Sequence, residues 1–274
     1  MKRKVLKTAA FLTAVVLISG LGAFANVLVG NPVSRLLAKR TAQAYLDGHY
    51  GDTGFVLEEV SYSFKEGGYY ATIRSPGSGD LYFTLSLDMA GHLLWDHYES
   101  MVASGENTAR RLSADYRALT DSVFESPAFP YTSAIAYGDL AFGDQEAGAC
   151  TQAGQAHRLS PADLEPDRLY DIRRLGAEAG YLTVYIDDQT VSVERAAEIM
   201  LDIKALLDAS GIPFYAMHFV LQYPQPSEDA PRPEGRVEAI DFLSADMEET
   251  GMAARVEAAN AAAEAYYARI DGEK

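Results

Sequence analysis

One apolar run near the start of the chain limits its possible folds more than any other feature. Between Thr8 and Gly30 no residue is charged, and only four residues are Thr, Ser or Asn. An apolar stretch of about 18 residues or more is typical of a membrane span. In hydrocarbon the backbone must satisfy its own hydrogen bonds, so such a span is helical. We therefore expect residues Thr8 to Gly30 to form a transmembrane helix that anchors the chain in a lipid bilayer.

The charges on either side of the run indicate its orientation. Four cations precede it: Lys2, Arg3, Lys4 and Lys7. Cations near a span tend to stay on the cytoplasmic side, which places the amino terminus inside and the bulk of the chain outside the cytoplasm. Three cations beyond the run weaken this bias: Arg35, Lys39 and Arg40. The expected location is the cell membrane, with a single span and an extracytoplasmic body.

Two alternatives to an anchor stay open. A basic start, an apolar core and the triplet Ala23-Phe24-Ala25 also fit a secretory signal that is cut after Ala25, which would release a secreted protein. Without a cut, Val27, Leu28 and Val29 extend the apolar run to full spanning length, which favours the anchor. The remaining alternative is a buried helix of a soluble domain.

The rest of the chain is strongly acidic. Residues 31–274 hold 19 Lys and Arg against 39 Asp and Glu, a formal net charge of −20. Such a body repels phosphate backbones, so nucleic acid is excluded as an expected partner. The chain contains a single cysteine, Cys150, and therefore cannot form an internal disulfide.

Residues 31–130 read as a first domain, made of helices and an antiparallel meander. Asn31 and Pro32 predict a helix start, and Val33, Leu36, Leu37, Ala44 and Tyr45 recur at helical spacing up to Gly48. Turn sequences separate four runs with strand character: Phe55 to Phe64, Tyr69 to Ser75, Leu81 to Leu87 and His92 to Tyr98. This helix, or a second one that follows Asn107, is expected to cover the buried face of the sheet.

Residues 131–274 read as a smaller α+β domain. A helix from about Pro166 to Ala179 leads into the apolar strand Tyr181 to Ile186. Ser192 can cap the next helix, and a strand from Phe214 to Tyr223 follows, which predicts a βαβ crossover. An edge strand from Val237 to Leu243 and a terminal helix complete the domain. The expected fold class is α+β, with an amino-terminal transmembrane helix and two domains.

Several segments together resemble the YfjL-like family of Gram-positive bacteria. They are GNPVSRLLAKRTAQAYL, VSYSFKEGGYYATIRSPGSGDLYFTL, ESPAFPY and AGYLTVYIDDQTVSVERAAEIMLDIKALLDASGIPFYAMHFVL. The resemblance implies a membrane-anchored protein with two small domains and no established activity. It favours a retained anchor and supplies no catalytic residue to carry over.

Motifs that carry chemistry are missing from the sequence, which has no Walker loop, GxGxxG, GxSxG, HExxH, SxxK or CxxC. Asp187 and Asp188 follow the strand Tyr181 to Ile186, at the end of a βαβ unit where ligands often bind. With other oxygen ligands nearby they would hold Ca²⁺ or Mg²⁺. The competing interpretation is a turn whose carboxylates complement the start of the next helix.

His218 stands in an otherwise apolar strand, where an imidazole needs a hydrogen-bond partner. It is expected either to be satisfied within the fold or to bind a ligand. Cys150 and His157 invite comparison with a nucleophile and its base, but no orienting acid accompanies them, so a packed thiol is the simpler interpretation. Tyrosines that crowd the meander are expected to pack in its core or to offer a binding face: Tyr62, Tyr69, Tyr70 and Tyr82.

The expected function is therefore a membrane-anchored extracytoplasmic module that binds a protein or small-molecule partner, with no cofactor, no metal and no enzymatic activity. The first alternative is a cell-envelope enzyme with metal-assisted hydrolytic activity through Asp187 and Asp188. The second is a structural spacer.

Overall fold

A computed structural model describes residues 11–15, 17, 20, 30–143, 158–227 and 230–272. The chain divides into two compact units. Unit 1 comprises Met1–Asn107 together with Glu165–Asp167, and unit 2 comprises Thr108–Leu164 and Arg168–Lys274. The division lies within the first turn of a helix, whereas the sequence places a domain boundary near residue 130.

Unit 1 contains the antiparallel meander that the sequence predicts. Helix α1 (Pro32–His49) precedes four strands: β1 (Val56–Ser63), β2 (Gly68–Arg74), β3 (Tyr82–Leu87) and β4 (Leu93–Asp96). The strands pair in chain order as one sheet, and each pair is antiparallel. A short π-helix (Glu99–Ala103) follows β4.

The predicted start of α1 is confirmed. The Asn31 side chain accepts a hydrogen bond of 2.8 Å from the Ser34 amide, and Pro32 is the first helical residue. The phenol of Tyr69, a buried residue of β2, binds both backbone groups of Asn31: it accepts from the amide and donates to the carbonyl, each over 2.9 Å. This places the start of α1 firmly against the sheet.

Most of the apolar residues that recur at helical spacing in α1 do not form its buried side. The buried residues are small ones at every fourth position, with one leucine at the end: Ser34, Ala38, Ala42 and Leu46. Small side chains let the helix approach the sheet and its turns closely, and a Cβ on Gly91 would lie only 2.8 Å from the Cβ of Leu37. The larger side chains Val33, Leu36 and Leu37 are exposed instead.

The meander tyrosines fall on both faces of the sheet. Tyr69 is buried in the core of unit 1, and the Tyr62 ring packs against it at 5.3 Å between centroids. Tyr70 and Tyr82 alternate to the other face, where they are half-buried, and the Arg74 guanidinium lies 4.8 Å from the centroid of Tyr82. Tyr62 and Tyr69 therefore pack on the core side of the meander, whereas Tyr70 and Tyr82 do not.

Unit 2 is built on a second, mixed sheet, and it is the longer of the two units, not the smaller domain that the sequence analysis expects. Its helices are α2 (Glu106–Phe124, which begins in unit 1), α3 (Ile172–Ala179), α4 (Val193–Ala209) and α5 (Met252–Gly272). Its strands are β5 (Thr132–Leu140), β6 (Gly180–Asp187), β7 (Ala216–Gln222) and β8 (Arg236–Leu243). Strand order is β5-β6-β7-β8, and β6 and β7 are parallel while both outer pairs are antiparallel. The predicted βαβ crossover is confirmed as β6-α4-β7.

Helix α2, a candidate cover for the meander, contributes its apolar side chains to the core of unit 2. Tyr116 on this helix is fully buried, and its hydroxyl donates to the Pro213 carbonyl over 2.9 Å. Burial raises the pKa of Tyr116. Gly176 and Gly180 lie against the ring, where a side chain at either position would collide with Tyr116.

The predicted membrane span lies almost wholly outside the described residues. Residues 11–15, 17 and 20 are helical. Among the residues that the structure describes, no helix combines the length and the apolar character that crossing a bilayer requires.

Candidate functional site

The sheet of unit 2 has one apolar face and one polar face. On β6 the buried residues Leu182, Val184 and Ile186 belong to the hydrophobic core. The alternate residues of β6 point the other way and are half-buried: Tyr181, Thr183, Tyr185 and Asp187. Residues paired across strands share a face, so these residues are joined by His218 and Gln222 of β7 and by Glu238 of β8. These seven residues are referred to below as the polar face.

Glu238 is the most buried charged group of the polar face, with a side chain only 4% exposed. Its Oε1 accepts hydrogen bonds from the Tyr267 hydroxyl at 3.0 Å and contacts Nε2 of His218 at 2.9 Å. Its Oε2 lies 2.9 Å from Nη2 of Arg236, an ion pair. A buried carboxylate needs such partners, because an uncompensated charge in the interior is costly.

The surroundings of Glu238 favour its ionised form. Burial acts to raise the pKa of Glu238, but the contacts with His218, Tyr267 and Arg236 outweigh it, and the pKa lies below its ordinary value. The His218 ring also lies 5.6 Å from the ring of Tyr185, measured between centroids. Burial, and next the charge of Glu238, raise the pKa of Tyr185. The cluster therefore keeps an ionised carboxylate, paired with Arg236, in contact with the His218 ring.

Helix α5 closes the cluster along the outer edge of β8. The Glu238 amide donates to Oδ1 of Asn260 over 2.8 Å, so the helix satisfies an edge hydrogen bond that no strand takes. Glu238, Asn260, Glu264 and Tyr267 line a cavity of about 250 Å³ together with Arg236. The guanidinium of Arg236 lies 5.1 Å from the centroid of the Tyr267 ring.

A bulge in β8 gives the polar face a second buried carboxylate. The register of β7 and β8 shifts between Met217 and Phe219, and Asp241 adopts a positive φ of 52°. Asp241 is 5% exposed, and its Oδ1 accepts a hydrogen bond of 2.6 Å from the Tyr181 hydroxyl of β6. The Tyr181 hydroxyl reaches Asp241 across β7, where the residue paired with Tyr181 is the small Ala216.

The two aspartates singled out from the sequence are held by separate arginines. Oδ1 of Asp187 accepts from Arg232 at 2.6 Å and from Gln222 at 3.1 Å. Asp188 accepts from the Thr190 amide at 2.9 Å and from Arg195 at 3.0 Å. The Thr190 amide is the main cause that lowers the pKa of Asp188, and Arg195 adds to it against the opposing effect of burial.

Asp187 and Asp188 do not converge with His218. Asp187 shares a face with His218, but the strand partner of His218 is Thr183, four residues back along β6. That separation is about 13 Å at the usual rise of a strand. Within the described parts of the chain, no three His, Cys, Asp or Glu side chains come together in a way that fits a metal ion. Cys150 and His157 lie outside the described residues.

Sequence reasoning identified His218 and missed its partner. Glu238 stands in the run VEAIDF, where a glutamate at an alternating strand position looks like an ordinary solvated residue. Tyr267 lies 29 residues further on, in a helix whose apolar residues gave no sign of a polar contact. The available signal was that Glu238 and His218 occupy consecutive strands, which are commonly neighbours in a sheet.

Two family models match the chain. A model for the YfjL-like N-terminal domain matches residues 3–94, and a model for the YfjL-like C-terminal domain matches residues 115–257. No curated protein and no solved structure matches the chain significantly.

Proposed function

The chain belongs to the YfjL-like family, and from this premise we propose that it is a single-pass, membrane-anchored extracytoplasmic protein that binds a partner through the polar face of unit 2. The observation that carries the anchor is the position of the N-terminal domain match. This match begins at residue 3 and therefore includes the whole apolar run from Thr8 to Gly30. An apolar run that lies inside the matched domain favours a retained anchor over a leader that is discarded.

The extracytoplasmic orientation is supported by charge. The four cations before the run have no acidic neighbour up to residue 30, whereas the body beyond it carries a net charge of −20. Positive charge next to a span favours the cytoplasmic side.

The polar face supports a binding role. Its aromatic and charged groups are half-buried and fixed by one another, so a partner meets a preorganised surface and loses little entropy in ordering it. Tyr185 and His218 present rings, and Thr183 and Gln222 present hydrogen-bonding groups. Aromatic groups beside fixed charges are typical of surfaces that recognise polar ligands or protein partners.

The geometry gives no support to the hydrolase alternative. Asp187 and Asp188 are each neutralised by an arginine, and His218 is about 13 Å from the former along the sheet. A metal-assisted hydrolase needs convergent ligands with an open position for water. Binding is therefore the function that the described residues favour.

Two measurements test the proposal. Protease treatment of intact cells that express a carboxy-terminally tagged chain is expected to remove the tag and leave a membrane-bound amino-terminal fragment. A tag that is cut only after lysis contradicts the orientation. Mass spectrometry of the mature chain is expected to include residues 1–25, and a chain that starts at Asn26 contradicts the anchor.

Photo-crosslinking tests the binding surface. A photoreactive amino acid at Tyr185 or Thr183 is expected to capture a partner in cells, and one at Glu198, an exposed position of α4, is expected not to. Equal capture from both positions, or capture from Glu198 alone, contradicts a role for the polar face. Substitutions across the face that change nothing, where deletion of unit 2 has an effect, would favour a spacer.

A further inference from the structure

Helix α1 turns its large apolar side chains away from the core of unit 1. Val33 is 68% exposed, Leu36 is 49% exposed and Leu37 is 39% exposed. They recur at the spacing of one helix face, opposite the buried stripe of Ser34, Ala38 and neighbouring small residues. An exposed apolar face on a helix calls for an apolar environment to cover it.

The same half of α1 carries a concentration of positive charge. Arg35, Lys39 and Arg40 are all exposed, and the sole acidic residue of α1, Asp47, lies at its far end. The rest of the chain beyond residue 30 is strongly acidic, so this local excess is not a consequence of composition. Cations beside apolar side chains on one helix suit a surface with apolar depth and anionic headgroups.

The tip of the β1-β2 hairpin lies at the same end of unit 1. The rings of Tyr62 and Tyr69 lie so close to Gly30 that a Cβ there would sit 2.7 Å from Tyr62 Cγ and 2.8 Å from Tyr69 Oη. Two residues after Tyr62, Phe64 is 60% exposed, and the adjacent Lys65 is exposed as well. The start of α1 and this hairpin tip are thus close to the point where the apolar run ends.

The exposed apolar side chains of α1 lie only a short distance along the chain from the end of the apolar run. Val33 to Leu37 lie within about 10 Å of Asn31 along the helix axis. The headgroup region on each side of a bilayer is about 5–8 Å thick. A span that ends at Gly30 therefore brings this face to the headgroup layer, and aromatic and basic residues are the usual occupants of that depth.

We infer that unit 1 lies on the membrane, with Val33, Leu36, Leu37 and Phe64 in the headgroup region of an anionic bilayer and with Arg35, Lys39 and Arg40 on lipid phosphates. This inference rests on the proposed anchor. It adds a specific orientation: the first helix runs along the bilayer surface and lies between the lipid and the meander.

Fluorescence of the full-length chain in vesicles tests the inference. With Cys150→Ser as background, an environment-sensitive label is attached to Leu36→Cys, to Phe64→Cys or, as the control, to Glu59→Cys, an exposed position on the face of the meander that is turned away from α1. In phosphatidylcholine vesicles with phosphatidylglycerol, labels at 36 and 64 are expected to show blue-shifted emission and to lose most of their intensity to lipids that carry a quencher near the headgroup. The label at 59 is expected to show neither change.

Removal of the three cations tests their contribution to the lipid contact. The triple substitution Arg35→Gln, Lys39→Gln and Arg40→Gln is expected to reduce quenching at 36 severalfold in vesicles with phosphatidylglycerol. It is expected to have little effect in phosphatidylcholine alone. Equal quenching of the triple variant and its parent in both lipids contradicts the role of the cations.

The outcomes separate this inference from the proposed anchor. A chain that stays in the vesicles after alkaline washing, with a label at 36 open to an aqueous quencher, refutes the surface contact and leaves the anchor standing. A chain that washes off refutes the anchor. A label at 36 that is shielded from water but not reached by lipid quenchers indicates a second protein surface and also refutes the lipid contact.

Discussion

Nε2 of His218 lies 2.9 Å from Oε1 of Glu238, and this contact joins two neighbouring strands across the polar face of unit 2. The side chains are 19% and 4% exposed, so the pair is largely shielded from water. Tyr267 from α5 donates to the same carboxylate oxygen. One carboxylate therefore ties a strand pair to the helix that covers its edge.

The first prediction concerns Glu238→Gln and acid stability. The pKa of Glu238 lies below its ordinary value in the folded chain, so its ionised form stabilises the fold above the unfolded value of about 4.3. This contribution is lost as the pH falls from that value through the folded pKa. Glu238→Gln is expected to reduce the free energy of unfolding by about 1–3 kcal/mol at neutral pH and to weaken the dependence on acid pH.

Urea unfolding followed by circular dichroism, at neutral pH and at several acid pH values, measures this effect. Glu234→Gln is the matched control, because Glu234 is exposed in the same segment of chain. A Glu238→Gln variant that keeps the acid dependence of the parent would show that the carboxylate is not a source of it.

A second prediction concerns Tyr69→Phe. The hydroxyl of Tyr69 satisfies the amide and the carbonyl of Asn31, and the residue is 1% exposed. Loss of the hydroxyl leaves two backbone groups without this partner, which costs about 1–3 kcal/mol. Amide exchange by mass spectrometry is expected to show faster exchange at the start of α1. Tyr82→Phe, on the opposite face of the meander, is expected to leave that exchange unchanged.

The third prediction compares two glycines in helices. A Cβ at Gly176 would lie 2.5 Å from Tyr116 Cε2 and 2.7 Å from the Pro213 carbonyl oxygen, so Gly176→Ala must displace a buried ring or the backbone. The expected cost is about 1–3 kcal/mol. A Cβ at Gly48 meets nothing within 4 Å, and Gly48→Ala is expected to stabilise α1 by about 0.5–1 kcal/mol. Thermal unfolding of both variants checks the opposite signs.

Local signals in the sequence were sufficient for much of the fold. Asn31 and Pro32 mark the start of α1 because a capping side chain and a fixed φ act within one turn. The meander follows from alternation and turn residues between Val56 and Asp96, and the crossover from β6 to β7 follows from the helix between them. These features depend on neighbours in sequence.

Long-range packing explains where sequence reasoning was wrong or incomplete. Leu36 and Leu37 belong to the apolar pattern that predicts α1, yet the side of the helix that approaches its sheet closely carries Ser34 and Ala38 instead. Likewise, nothing near Glu238 in sequence indicates that His218 and Tyr267 will satisfy it. Periodicity gives the faces of an element but does not decide which face a neighbour can approach.

The last prediction concerns Asp188 and divalent cations. Asp188 caps the turn after β6 by accepting from the Thr190 amide, and it pairs with Arg195 in a setting where its side chain is 20% exposed. Asp188→Asn keeps an acceptor for that amide and loses a partly exposed ion pair, so the expected cost is about 0–1 kcal/mol. Asp188→Ala also loses the turn hydrogen bond and is expected to cost about 1 kcal/mol more.

Because Asp187 and Asp188 are already satisfied by arginines, Ca²⁺ and Mg²⁺ are expected to leave the melting temperature of the parent and of both variants unchanged. A cation that raises the melting temperature of the parent but not of Asp188→Asn would mean that the folded chain binds it through this carboxylate, since binding to the native state alone stabilises that state.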